Sequence, residues 1–227
     1  MMRAASLCLL VCLVPAGCGL ISDDIARVDL RFPKHDFRVD SADWHLVGTT
    51  VPSVPCAQVN CEAAAALFCG SNCSASCDTG TNTCQAAVTI TLVNDVDLAK
   101  EAPEYQKIAD QPVISVSIDD VYFDITENTF TVDTPALVVF VGPPSVTEAT
   151  SAGAERVGTI PAVVSMNTGR ATITFEGNGR AILARYMNDF HTPFRVGVTG
   201  TVALRAGDKT PTGRLVGSVQ ADAHAGL

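Results

Sequence analysis

The sequence predicts a mainly β fold: a β-sandwich that carries one amphipathic helix and an inserted disulfide-rich segment. Three observations predict it. Val, Thr, Ile and Phe recur in short runs that alternate apolar with polar residues, the period of a strand with one buried face. Six of the nine cysteines fall between Cys56 and Cys84. Between Asn178 and Phe190 the period changes, setting Ile182, Tyr186 and Phe190 four residues apart with Leu183 and Met187 beside them, one stripe of a helix.

The chain opens with Arg3, an apolar run from Leu7 to Val14 and the small residues Ala16 and Gly17, so residues 1–17 read as a secretory signal peptide. The run is too short to span a bilayer as a permanent helix. Its ending, Pro15-Ala16-Gly17-Cys18, resembles the lipobox of bacterial lipoproteins, with Pro15 standing where that family usually has Leu. The resemblance implies cleavage before Cys18, acylation of Cys18 and a lipid-anchored tether over residues 18–24. It also implies a place in the bacterial cell envelope, and Gly19 in place of Asp after the cysteine points to the outer rather than the inner membrane. Ordinary secretion with cleavage nearby is the alternative. The cysteine count favours the lipobox: Cys8 and Cys12 leave with the signal, Cys18 takes lipid, and the other six can all pair.

Residues 25–227 read as one β-sandwich domain. Ile25 to Phe32 alternates, with Val28, Leu30 and Phe32 on one side, and after Pro33 a second strand over Phe37–Val39 leads to Trp44. The cysteine-rich insertion occupies about 50–86, entered through a proline-bearing stretch and left at Ala87, where Val88, Ile90 and Leu92 resume the alternation. From Val113 to Ile125 the apolar parity flips between Ile118 and Val121, so Asp119-Asp120 marks a bulge or a corner between sheets. Leu137–Val141 reads as a strand covered on both faces, with shorter strands near Thr159–Ser165 and Arg170–Phe175. The helix over 178–190, capped by Asn178 and stopped by Pro193, closes one open end or face of the sandwich. Phe194–Leu204 and Leu215–Ala223 read as the two arms of a long hairpin.

Cys56, Cys61, Cys69, Cys73, Cys77 and Cys84 lack the paired-knuckle spacing of zinc sites and contain no C-x-x-C, which favours three disulfides over a metal cluster or a redox pair. Fifteen pairings are open. Asn60 is placed to cap a short helix through Phe68 that ends at Gly70 in a left-handed conformation. Beyond it the run of Gly, Ser, Asn and Thr has little to bury, so cross-links replace a core and the segment is expected as a rigid projecting knob.

The formal charge is −9, and removal of residues 1–17 with Arg3 takes the mature chain to about −10, which with dispersed Lys and Arg argues against nucleic acid. No nucleophile, base and carboxylate assemble in the sequence. The pairs His35-Asp36 and Asp43-x-His45, His191 before Pro193, and the acids Asp119, Asp120 and Asp124 are surface, turn or capping residues first. Asp95, Asp97 and Glu101, or Asp78 with Asn82, offer hard oxygens to calcium only weakly, so no catalytic residue, metal site or cofactor is assigned. The expectation is a non-catalytic envelope module, held at the membrane by its lipid, that binds or scaffolds a protein or glycan partner. A carrier of lipid or a small apolar ligand and an envelope hydrolase are the alternatives. The whole plan resembles cysteine-rich envelope lipoproteins of proteobacteria, which implies a location and no activity.

Overall fold

A computed structural model of the chain describes residues 27–56, 60–70, 73–108 and 115–226. Residues 1–24, read above as a signal peptide and tether and including Cys18, lie outside these. Two antiparallel sheets form the body. The first comprises β1 (Arg27–Arg31), β2 (His35–Asp40), β5 (Ser115–Asn128), β8 (Gly169–Thr172) and β11 (Arg214–Gly226), in the order β1-β11-β5-β8 with β2 also on β11. The second, in the order β3-β4-β10-β6-β7-β9, comprises β3 (Cys73–Asp78), β4 (Thr83–Val96), β6 (Leu137–Gly142), β7 (Glu155–Ile160), β9 (Thr174–Phe175) and β10 (Phe194–Leu204).

Inward residues of both sheets make one core. Leu30, Phe37, Val121 and Phe123 from the first meet Val88, Ile90, Val196 and Val198 from the second, and Phe32 touches Phe194 edge-on at 6.0 Å. Burying each large side chain contributes about 2 kcal/mol, which is what holds the two layers together. Trp44, at the end of a 3-10 turn over Ser41–Trp44, stacks on Phe130 at 5.6 Å. That turn is capped by Asp40, and His45 leaves it in the left-handed region (φ 53°, ψ 36°), so Asp43 and His45 do not share a strand.

The parity flip in β5 is a bulge. Asp120 pairs with Asp222 and Ile118 with Ala223, so Asp119 is the extra residue and the strand stays in one sheet. Val116, Ile118, Val121, Phe123 and Ile125 are thereby all buried. The guanidinium of Arg180 donates to the carbonyls of Ile118 and Asp119, meeting polar groups that the irregular ladder turns outward. Arg180 belongs to α4 (Gly179–Asn188), which buries Ile182, Leu183 and Met187 and lies across β5 and β7, one strand from each sheet. Asn178 occupies the cap position without a side-chain capping bond.

Four further expectations are corrected. β10 and β11 are not arms of a hairpin: β10 lies between β4 and β6, β11 lies between β1/β2 and β5, and residues 205–213 cross from one sheet to the other. Alternation marks a buried face and leaves the partner open. Gly213 makes the crossing possible, because at φ +97° with the Thr129 carbonyl 2.0 Å from where a Cβ would stand, no other residue fits. The strand read at Thr159–Ser165 is β7, which begins at Glu155 and ends at Ile160. Two short helices, α2 (Leu98–Glu101) and α3 (Pro103–Ile108), occupy a stretch in which the sequence reading placed no helix.

The fourth correction concerns the cysteine segment, which is not a projecting knob. Its second half is β3 and the start of β4, joined through Asn82 at φ 53° and hydrogen-bonded into the second sheet. Its first half is α1 (Cys61–Cys69), capped by the Asn60 side chain accepting from the Glu62 N–H at 2.9 Å. Gly70 ends it at φ 58° and ψ −133°, positive φ as expected but outside the left-handed helical region. Ala65, Phe68 and Cys69 face inward against β3 and β4.

Candidate functional site

The cap on α1 sets its rotational phase, and the phase decides which of two adjacent large residues is shielded. Phe68 is 4% exposed and Leu67 is 83% exposed. Beside Leu67 runs the irregular stretch 47–55, bound to the fold by its backbone: the Val47 N–H donates to the Phe68 carbonyl, and Val51 exchanges bonds with Gly207 and Asp208 of the crossing. Between helix and stretch lies an apolar groove of about 370 Å³, lined among others by Val47, Pro52, Val54, Ala64, Leu67 and Phe68. Among the described residues Thr50 supplies the one hydroxyl in that lining, and no charged side chain joins it. Val47, 64% exposed, and Leu67 form opposite lips.

Three disulfides brace this end: Cys56–Cys77, Cys61–Cys84 and Cys69–Cys73. The first ties the stretch before α1 to the exposed strand β3, the second ties the first residue of α1 to β4, and the third closes the exit from the helix. The groove is therefore built on covalently fixed walls. It lies beside the start of β11, whereas β1 begins opposite Gly226 at the other end of that strand, and the 13 residues of β11 span roughly 40 Å. Nothing in the residue pattern beyond an apolar position in α1 signals the groove, because its other wall has no periodicity.

The remaining candidates are dispersed: Asp43, His45 and Asp120 are exposed, and most of the others have a partner close at hand. His35 Nε2 lies 2.7 Å from Glu101, though not aligned for a hydrogen bond, and His224 Nδ1 lies 3.0 Å from Asp119. His191 packs on the ring of Phe190 at 4.2 Å. Asp124 faces Arg170 at 3.7 Å. The weak calcium ligands are engaged as well. Asp95 pairs with Arg195 at 2.6 Å, Asp97 caps α2 and pairs with Lys100, Glu101 accepts from the Asp97 N–H, and Asp78 accepts from the Gly80 N–H in the hairpin turn. Hydrogen bonding to Lys100 holds the Asp97 carboxyl below the usual carboxylate range, and the Gly80 N–H does the same for Asp78. These are the habits of caps and turns. No nucleophile and base meet among the described histidines and acids.

Among the described residues no helix is long and apolar enough to cross a membrane. Compared with family profiles, with curated proteins and with solved structures, the chain finds no match.

Proposed function

We propose that this chain is a non-catalytic, lipid-anchored envelope protein whose disulfide-braced end binds a partner protein. The observation that carries the reading is the open apolar groove between α1 and residues 47–54, with Leu67 standing exposed on a cross-linked wall. Pre-organised walls reduce the ordering cost of binding. The lining offers an apolar side chain a place to dock and offers a glycan almost no hydrogen-bonding group, which favours protein over glycan. With Cys18 acylated, the membrane adjoins the end where β1 begins, and the groove lies toward the opposite end of β11.

A second reading, carriage of a small apolar ligand, draws on the groove's volume, which falls within the range of small-molecule sites. Affinity capture from solubilised envelopes separates the two. The native protein retains a defined partner that Leu67→Asp loses; capture of the same proteins by both refutes the reading, and extraction of about one lipid per chain from the native protein alone replaces it with carriage. Intact mass of the mature protein reports the anchor, because an unmodified residue 18 removes the membrane from the proposal.

A further inference from the structure

Two of the disulfides lie side by side. The Sγ atoms of Cys56, Cys61 and Cys84 are all within 4.8 Å of one another although they belong to two different bonds, and Cys77, bonded to Cys56, stands directly opposite Cys84 across the hairpin. Three sulfurs thus converge from three places in the fold, the stretch before α1, the first residue of α1 and β4, and Cys77 is carried beside them by its bond to Cys56 and its place opposite Cys84. A tetrahedral Zn²⁺ holds thiolates at about 2.3 Å, which sets ligand sulfurs roughly 3.8 Å apart. Cys56 already stands within 4.8 Å of both Cys61 and Cys84, and Cys77 lies in reach of them by side-chain rotation once its bond to Cys56 opens.

Backbone hydrogen bonds act beside the sulfurs in keeping these positions close. The Cys56 N–H donates to the Asn82 carbonyl and the Cys84 N–H to the Val54 carbonyl, tying the stretch to the hairpin, while Asn60 holds the start of the helix. Cys61 opens α1, where the helix amino terminus favours a thiolate. We propose that Cys56, Cys61, Cys77 and Cys84 form a thiolate site for Zn²⁺ when both disulfides are reduced. Reduction by a dithiol delivers two electrons and two protons to each disulfide, giving four thiols and leaving the dithiol as its own disulfide. Binding of Zn²⁺ then releases the four protons and leaves a tetrathiolate complex of net charge −2. The end of the sandwich has two cross-linked forms, one covalent and one metal-bound, that join the same four positions. Cys69–Cys73 stands outside the cluster and takes no part.

The test uses the full mature chain, reduced anaerobically with a phosphine and titrated with Co²⁺ and then Zn²⁺. One Co²⁺ binds per chain with sulfur-to-metal charge-transfer bands and a tetrahedral ligand-field spectrum, and Zn²⁺ displaces it one for one. The Cys69→Ala, Cys73→Ala double variant behaves identically, Cys84→Ser weakens binding at least tenfold and shifts the bands, and the oxidised protein binds none. Circular dichroism of the reduced chain reports folding in parallel. Failure of the reduced chain to bind Co²⁺, or binding that survives Cys84→Ser unchanged or depends on Cys69 and Cys73, overturns the proposal.

Discussion

Cys77 and Cys84 face each other on neighbouring strands, yet neither bonds to the other: Cys77 is joined to Cys56 and Cys84 to Cys61. Each bond therefore fastens an outside segment to the hairpin instead of bracing the hairpin itself. The sequence separations of 21 and 23 residues put the loss from removing either bond near 3 kcal/mol, against about 2 kcal/mol for the four-residue separation of Cys69–Cys73. Urea unfolding of the Cys61→Ala, Cys84→Ala and Cys69→Ala, Cys73→Ala double variants is expected in that order, and equal losses would show that the outside segments are held by other means.

Tyr105 is fully buried against Phe190, and among the described residues its hydroxyl has no hydrogen-bond partner. Burial pushes its phenol far above the ordinary value. A phenol that holds its proton more tightly folded than unfolded contributes stability in full below the unfolded value of about 10, and that contribution falls as pH rises beyond it. Tyr105→Phe should leave neutral stability unchanged or raise it by up to about 1 kcal/mol, and should blunt the alkaline loss above pH ~10. Thermal melts from pH 7 to 11 decide it, and a loss of stability at neutral pH means that the hydroxyl has a partner after all.

Asp40 caps the turn that carries Trp44, and the Ala42 N–H, more than the nearby Arg38 and Arg214, holds its carboxyl below the ordinary carboxylate value. Because the folded value is depressed, the stabilisation is present above about pH 4 and is lost as pH falls through the folded value. Asp40→Asn keeps the cap and removes the titration. Its melting temperature should decline less between pH 5 and pH 2 than that of the native protein, and parallel declines would locate the acid sensitivity elsewhere.

Gly179 is the first residue of α4, and a Cβ there would stand 1.8 Å from the Val157 carbonyl oxygen of β7. Helix propensity by itself favours alanine at such a position by up to about 1 kcal/mol. The contact argues the reverse, because a backbone oxygen in a sheet cannot step aside, and overpacking of this kind costs about 1–3 kcal/mol. Gly179→Ala is expected to lower stability in denaturant unfolding, and a gain would mean that α4 rides more loosely on the two sheets.

Legibility in the sequence followed the size and parity of side chains. A break at Asp119-Asp120, bulge or corner, was readable from the change of parity among the apolar residues, and the pairing with β11 makes it a bulge. β3 was not, because its alternation is written in Ser74, Ala75 and Ser76, whose small side chains carry little contrast. The separate partners of β10 and of β11 stayed hidden for another reason: strands with neighbours on both sides and strands joined by a turn show the same period. The groove depended on Leu67 being outside and Phe68 inside, a choice made by the cap at Asn60 and the packing against β3, and hydrophobicity ranks the two alike.

Because β11 is the strand on which β1, β2 and β5 all pair, the first sheet has no centre until the last strand of the domain has been made. A growing chain carries β1, β2 and β5 as separate pieces, each with an open edge and an apolar face, throughout the synthesis of everything between. The second sheet differs, since β3 and β4 are adjacent in the chain and three cross-links can form there early. The order of assembly is thereby written into the topology: the cysteine end can take shape first, and closure of the sandwich waits on its final 13-residue strand, a long-range and slow event.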